Sequence, residues 1–114
     1  MASTVTGLPA AVNLLVYQGD DLYLDLAVTS KGAPADLTGF TAKSQIRSTP
    51  PSTTVLAELL TTISASTIHL HLVHTDAATL PVQPAVWDCQ LTDASGNIST
   101  IAAGTVTVTA EITR

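Results

Sequence analysis

An all-β, antiparallel two-sheet sandwich of about seven to eight strands is the fold this sequence predicts, and three observations predict it. Apolar and polar residues alternate at period two in at least four segments, around Leu24, Phe40, Leu70 and Val108. Successive side chains of a strand point to opposite faces, so each such segment has one face to bury. Clusters of Gly, Pro, Asn, Asp and Ser separate these segments at short intervals. No long stretch carries the 3.6-residue periodicity of a helix, which leaves sheet-on-sheet packing as the way to cover the apolar faces.

The chain has 114 residues, enough for one two-layer core and too few for a second. Residues 1–11 are small and polar, with Gly7 and Pro9 interrupting any periodicity, and are expected to form an extended N-terminal arm. Residues 12–114 are then the domain. Its first strand is expected over residues 12–17, closed by the bend Gln18-Gly19-Asp20. Residues 21–29 carry the clearest alternation: Leu22, Leu24, Leu26 and Val28 on the core side, Asp21, Tyr23, Asp25 and Ala27 on the other. A loop over residues 30–36 leads to a strand over residues 40–47, in which Phe40, Ala42, Ser44 and Ile46 oppose Thr41, Lys43, Gln45 and Arg47. Both long cations of that strand point outward.

Pro50-Pro51 cannot donate ladder hydrogen bonds and belongs in a connection, so the next strand is placed over residues 54–61. Over residues 67–73, Ile68, Leu70 and Leu72 oppose His69 and His71. Residues 74–80 predict one short helical turn, with Thr75 or Asp76 as N-cap and Pro81 as its stop. Residues 85–92 form a strand with Trp87, Cys89 and Leu91 on one face, followed by the hairpin turn Asp93-Ala94-Ser95-Gly96-Asn97. Two final strands are expected, over residues 98–101 and 104–112.

Charged residues make up only 11% of the chain, less than half the share of an ordinary soluble domain, and Thr, Ser and Ala take their place. Such a surface does little to hold neighbouring molecules apart. The net charge of −5, with Lys31, Lys43, Arg47 and Arg114 as the only fixed cations, disfavours nucleic-acid binding. No apolar run approaches the roughly 20 residues of a membrane span. The N-terminus lacks the cationic start and apolar core of a signal peptide, so synthesis in the cytosol is expected. Cys89 is the single cysteine, which rules out an internal disulfide.

The chemical inventory is close to empty. His69 and His71 share a strand face, and with His74 or Asp76 could offer ligands to a metal ion; the apolar residues between them mark the pair instead as the polar side of an amphipathic strand. Asp20, Asp21 and Asp25 lack the alternating ligands of a calcium loop and are read as turn formers. Glu58, Asp76, Asp88, Asp93 and Glu111 are scattered over separate elements, so no acid–base pair is predicted. Cys89, beside Trp87 on an inward face, reads as a protonated core thiol. With no phosphate loop or nucleophile motif either, neither catalysis nor a cofactor is expected.

The succession Tyr17-Gln18-Gly19-Asp20-Asp21, Asp36-Leu37-Thr38-Gly39-Phe40, Ser44-Gln45-Ile46-Arg47 and Val86-Trp87-Asp88-Cys89-Gln90-Leu91-Thr92-Asp93 resembles small immunoglobulin-like modules of tailed bacteriophage virions. The N-terminal domain of upper baseplate proteins is the particular likeness, and it extends over residues 12–114. The strand around Trp87 is also similar to the penultimate strand of antibody domains, without their disulfide. The resemblance implies an immunoglobulin-like sandwich and a virion structural protein, made in the host bacterial cytoplasm and bound to tail, baseplate, fibre or capsid subunits and to copies of itself.

The expected role is a tail or baseplate adaptor holding fibres or peripheral proteins, with a capsid decoration, or cement, protein as the alternative. A carbohydrate- or metal-binding module is the alternative of another class. An aromatic fraction of 4%, with only Tyr17 and Tyr23 free to face a sugar ring, counts against it.

Overall fold

The structure is a computed structural model that describes residues 10–30 and 32–112. Among these residues the chain forms ten strands and one helical turn: β1 (Ala10–Ala11), β2 (Leu14–Tyr17), β3 (Leu22–Ala27), β4 (Thr29–Ser30), β5 (Ala33–Pro34), β6 (Thr41–Arg47), β7 (Ala57–Ser64), β8 (Thr67–Leu72), α1 (His74–Ala77), β9 (Ala85–Thr92) and β10 (Ile98–Thr109). Three of the ten are two-residue pieces, so seven strands carry the fold.

One sheet runs in the order β1/β2, β10, β9, β6 and the first half of β7, and the second comprises the other half of β7, β8 and β3. β7 belongs to both. Ala57, Glu58 and Leu59 pair with β6, whereas residues from Leu60 to Ser64 pair with β8. At the changeover the Thr61 hydroxyl donates to the Ala42 carbonyl (2.8 Å) and takes up an acceptor on β6 that the departing strand leaves behind. The alternation is kept across the changeover: Ala57 and Leu59 are buried, Thr61 and Ile63 half-buried, and Leu60 on the outer face is 59% exposed.

The alternation placed β3, β6, β8 and β9 as expected. Ile68, Leu70 and Leu72 on β8 face Ile46 on β6 and Trp87, Cys89 and Leu91 on β9 in one contiguous core. Burying a side chain such as Leu70 contributes about 1.5–3 kcal/mol. Leu22, Leu24 and Leu26 do point inward, but β3 has a neighbour on one side only and all three remain half-buried. Ser44 is the one buried polar side chain among the described residues, and its hydroxyl is satisfied by the Asp88 carbonyl at 2.7 Å.

Five expectations need correction. The ladders are antiparallel, except that β1 and β2 run parallel to β10. Ala10 and Ala11, assigned to the arm, pair with Ala102 and Ala103 as β1, while the rest of the arm, residues 1–9, lies outside the described residues. The strand assigned to residues 54–61 begins only at Ala57 and runs on to Ser64. The two expected final strands are one, β10, with a bulge at Ile101 that puts adjacent Ile101 and Ala102 both inside. The N-cap of α1 is Val73 rather than Thr75 or Asp76, and it has no side-chain capping bond of its own.

Gly104 positions the N-terminal edge. The chain keeps one register along β10 through β1 and β2 but breaks step at Val12-Asn13, opposite Gly104. A Cβ on Gly104 would lie 2.7 Å from the Val12 carbonyl carbon and closer still to its oxygen. That oxygen accepts the Trp87 indole N–H at 2.8 Å, and Asn13 Oδ1 accepts the Thr105 N–H at 3.2 Å.

Candidate functional site

All three histidines come together on the outer face of the second sheet, because β8 presents its odd residues outward and α1 follows directly. Each meets a carboxylate from β3 or its leading turn. An ionised carboxylate only accepts, so the rings donate: His69 Nδ1 to Asp25 Oδ1 at 2.7 Å and His71 Nε2 to Asp21 Oδ1 at 3.0 Å. His74 Nδ1 is 3.4 Å from the same Asp21 oxygen, which also accepts the His74 backbone N–H at 2.9 Å. His71 is stacked with Tyr23, centroids 4.2 Å apart.

Among the described residues no three His, Cys, Asp or Glu side chains form a group able to hold a metal ion. His69 and His71, two residues apart, each face a different aspartate across the β3–β8 pair. Asp21, read from the sequence as a turn former, instead links edge strand β3 to β8 and to the first N–H of α1. A capping carboxylate 53 residues away leaves no local sequence signal.

The His71 hydrogen bond, followed by that from the His74 backbone, holds the Asp21 carboxyl below its ordinary value of 3.8. A lowered folded-state value means that the contribution is present above 3.8 and lost as pH falls through the folded value. Thermal unfolding of wild type and Asp21→Asn should therefore differ at about pH 6, wild type being the more stable, and converge towards about pH 2. A constant difference over that range would contradict the linkage.

The remaining acids have separate tasks. Asp36 accepts the Thr38 N–H and hydroxyl, and Asp93 accepts the N–H groups of Ser95 and Asn97 in the hairpin. Glu58 sits 3.4 Å from Gln45 Nε2, and the Glu111 carboxylate packs at Gly19. Cys89 is fully buried, and desolvation, with the Asp88 charge second, pushes its thiol up to about 12. A thiol held protonated at neutral pH is a poor nucleophile. Trp87 is buried and Phe40 half-buried; Tyr17 and Tyr23 are exposed, but on different sheets.

The two free sheet edges differ in character. On β2 the even residues face the core, and the Val12 and Gln18 N–H groups bond to β10, so the backbone groups of odd residues point away from the sheet. Leu15 presents both its N–H and C=O there, and Tyr17 its N–H, beside side chains 58% and 47% exposed. Among the described residues β2 itself, Leu14–Tyr17, carries no charge and no proline. Along β3 the outward Asp25, with Asp21 in the turn just before the strand, guards the edge with charge.

No protein-family model matches the sequence, and no curated protein is similar to it. Solved structures are. A chain of the crystal structure of the titin M10–obscurin-like 1 Ig complex superposes with a TM-score of 0.53 at 20% identity, over 93% of this chain and 94% of that one. A mutant form of that complex gives 0.52 at 18%, over 91% and 92%. Titin domain M7 gives 0.51 at 11%, over 94% and 92%. The fold is therefore an immunoglobulin-like β-sandwich, and at such identities the likeness speaks for the fold alone.

Proposed function

We propose that this chain is a non-catalytic attachment module, which joins other proteins by accepting an extra strand on the free edge of β2. The observation that carries the reading is that edge itself. Among the described residues nothing pairs with its outward backbone donors and acceptors, Leu15 and Tyr17 are exposed, and the strand carries none of the charges that natural sheets use to keep strangers off. Strand addition takes its affinity from main-chain hydrogen bonds and its selectivity from alternate side chains, so it requires no pocket. In keeping with this, two of the structurally similar chains come from a complex between titin M10 and obscurin-like 1.

The setting we propose, supported by the sequence resemblance over residues 12–114, is the virion of a tailed bacteriophage. There the module acts as a tail or baseplate adaptor that holds fibres or peripheral proteins. Labelling the protein in assembled particles and imaging them should put the label at the tail or baseplate; label spread over the shell would replace the adaptor with a capsid decoration protein. Leu15→Lys introduces a gatekeeper charge on an exposed side chain. It should leave the melting temperature within a few degrees of wild type and abolish incorporation into particles. Full incorporation of a folded Leu15→Lys variant would sink the edge-pairing mode.

A further inference from the structure

The outer face of the first sheet holds a second feature, separate from the β2 edge. β6, β9 and β10 together form an open groove of about 630 Å³, bordered by Lys43, Gln45 and Arg47 of β6 on one side and by Ala103 and Gly104 of β10 on the other. Its floor is the central strand β9, which contributes Val86, Asp88 and Gln90.

The charge pattern there is unlike the rest of the molecule. Lys43 and Arg47 are the only lysine and arginine among the described residues of a chain with net charge −5, and both line this groove. Most of the carboxylates lie elsewhere: Asp20, Asp21 and Asp25 by the second sheet, Asp36, Asp76 and Asp93 in turns and α1. Arg47 is already oriented, donating from Nη1 to the Ser52 carbonyl at 2.6 Å and from Nη2 to Gln45 Oε1 at 2.8 Å. A fork fixed in place loses little entropy when it meets a carboxylate. Lys43 is exposed on the same face.

We infer that this groove is a binding site for an extended, acidic peptide segment of a partner protein, lying along β6 with carboxylates on Lys43 and Arg47. The two cations stand on one face of β6, four residues and so about 13 Å apart, and carboxylates four residues apart in an extended peptide have the same spacing. Asp88, opposite Gln45 in the ladder, sits between them and favours a donor at the intervening ligand position. Burial raises the Asp88 carboxyl, with the Arg47 charge opposing, as expected of a group at the foot of a partly desolvated groove.

The probe is an acetylated, amidated peptide of threonine and valine with two glutamates four residues apart, compared with the same peptide carrying glutamines. Calorimetry reads the binding, with polarisation of a fluorescently labelled peptide as the second readout, since the Trp87 indole is buried in the core. The glutamate peptide should bind, weaken with added salt, and lose about two- to fivefold in affinity per charge pair with Lys43→Gln, Arg47→Gln or the glutamine peptide.

Because Arg47 also bonds the Ser52 loop, Lys43→Gln is the variant that reads binding without disturbing the fold. Equal affinity of the two peptides, indifference to Lys43→Gln, or absence of any binding would overturn the proposal. So would self-association through this face that shuts the peptide out, since the occupant would then be a second copy of the chain.

Discussion

Replacing Trp87 with alanine should lower the unfolding free energy by about 3–5 kcal/mol, the range for removing a buried aromatic side chain. Trp87 is 3% exposed at the centre of β9, packed in the core that joins the two sheets. Domains of this size are stable by about 5–15 kcal/mol, so the variant will be marginal or unfolded at about 37 °C. Trp87→Phe separates the two contributions. It keeps most of the apolar contact and deletes the indole N–H that bonds the Val12 carbonyl, so it should cost far less than alanine. Urea denaturation of the three proteins measures both steps. A loss under about 1 kcal/mol for Trp87→Ala would mean that the core is not where the fold places it.

The second large effect is expected at Gly104. An alanine there puts its Cβ onto the Val12 carbonyl, and what must yield is the edge formed by β1 and β2. The forced displacement costs about 1–3 kcal/mol, and the Trp87 indole loses its acceptor as well. Gly104→Ala should therefore destabilise by more than the ordinary gain of replacing a strand glycine, and should speed hydrogen exchange at the Leu14 and Val16 amides, leaving β8 amides slow. Since Trp87→Phe and Gly104→Ala act through the same carbonyl, the double variant should lose less than the two losses added together. Strict additivity would show that the two residues do not share it.

What was legible in the sequence follows from how local each signal is. β3, β6, β8 and β9 could be read because each keeps one face inward along its whole length, so their core residues recur at period two. β7 keeps its alternation from Ala57 to Ser64, but a polar residue, Thr61, takes an inward position and an apolar one, Leu60, an outward position, so the apolar pattern did not mark its bounds. The bulge at Ile101 likewise puts two neighbouring residues inside, which in a period-two reading looks like the end of a strand. Nothing near β1 or β2 marks them as parallel to β10; that pairing joins residues such as Ala10 and Ala102, or Leu14 and Val106, from opposite ends of the chain.

The site was legible to the same limited extent. The outward direction of His69 and His71 followed from the core claim of Ile68, Leu70 and Leu72. Their partners did not, because Asp21 and Asp25 reach them across a strand pair that only folding creates. Leu15 and Tyr17 read as part of an apolar strand, and their exposure became evident only once β2 was an edge. Lys43 and Arg47 were correctly turned outward, but the groove over β6, β9 and β10 that gives them a common task is a product of tertiary structure.

Attachment by strand addition requires the β2 edge to be open in the free protein and occupied in the particle. Hydrogen exchange at the Leu15 and Tyr17 amides, compared between the purified chain and the chain in assembled particles, tests this most directly. Fast exchange in the free protein and strong protection in the particle is the predicted result. Amides that exchange equally fast in both states, in particles shown to contain the protein, would contradict it.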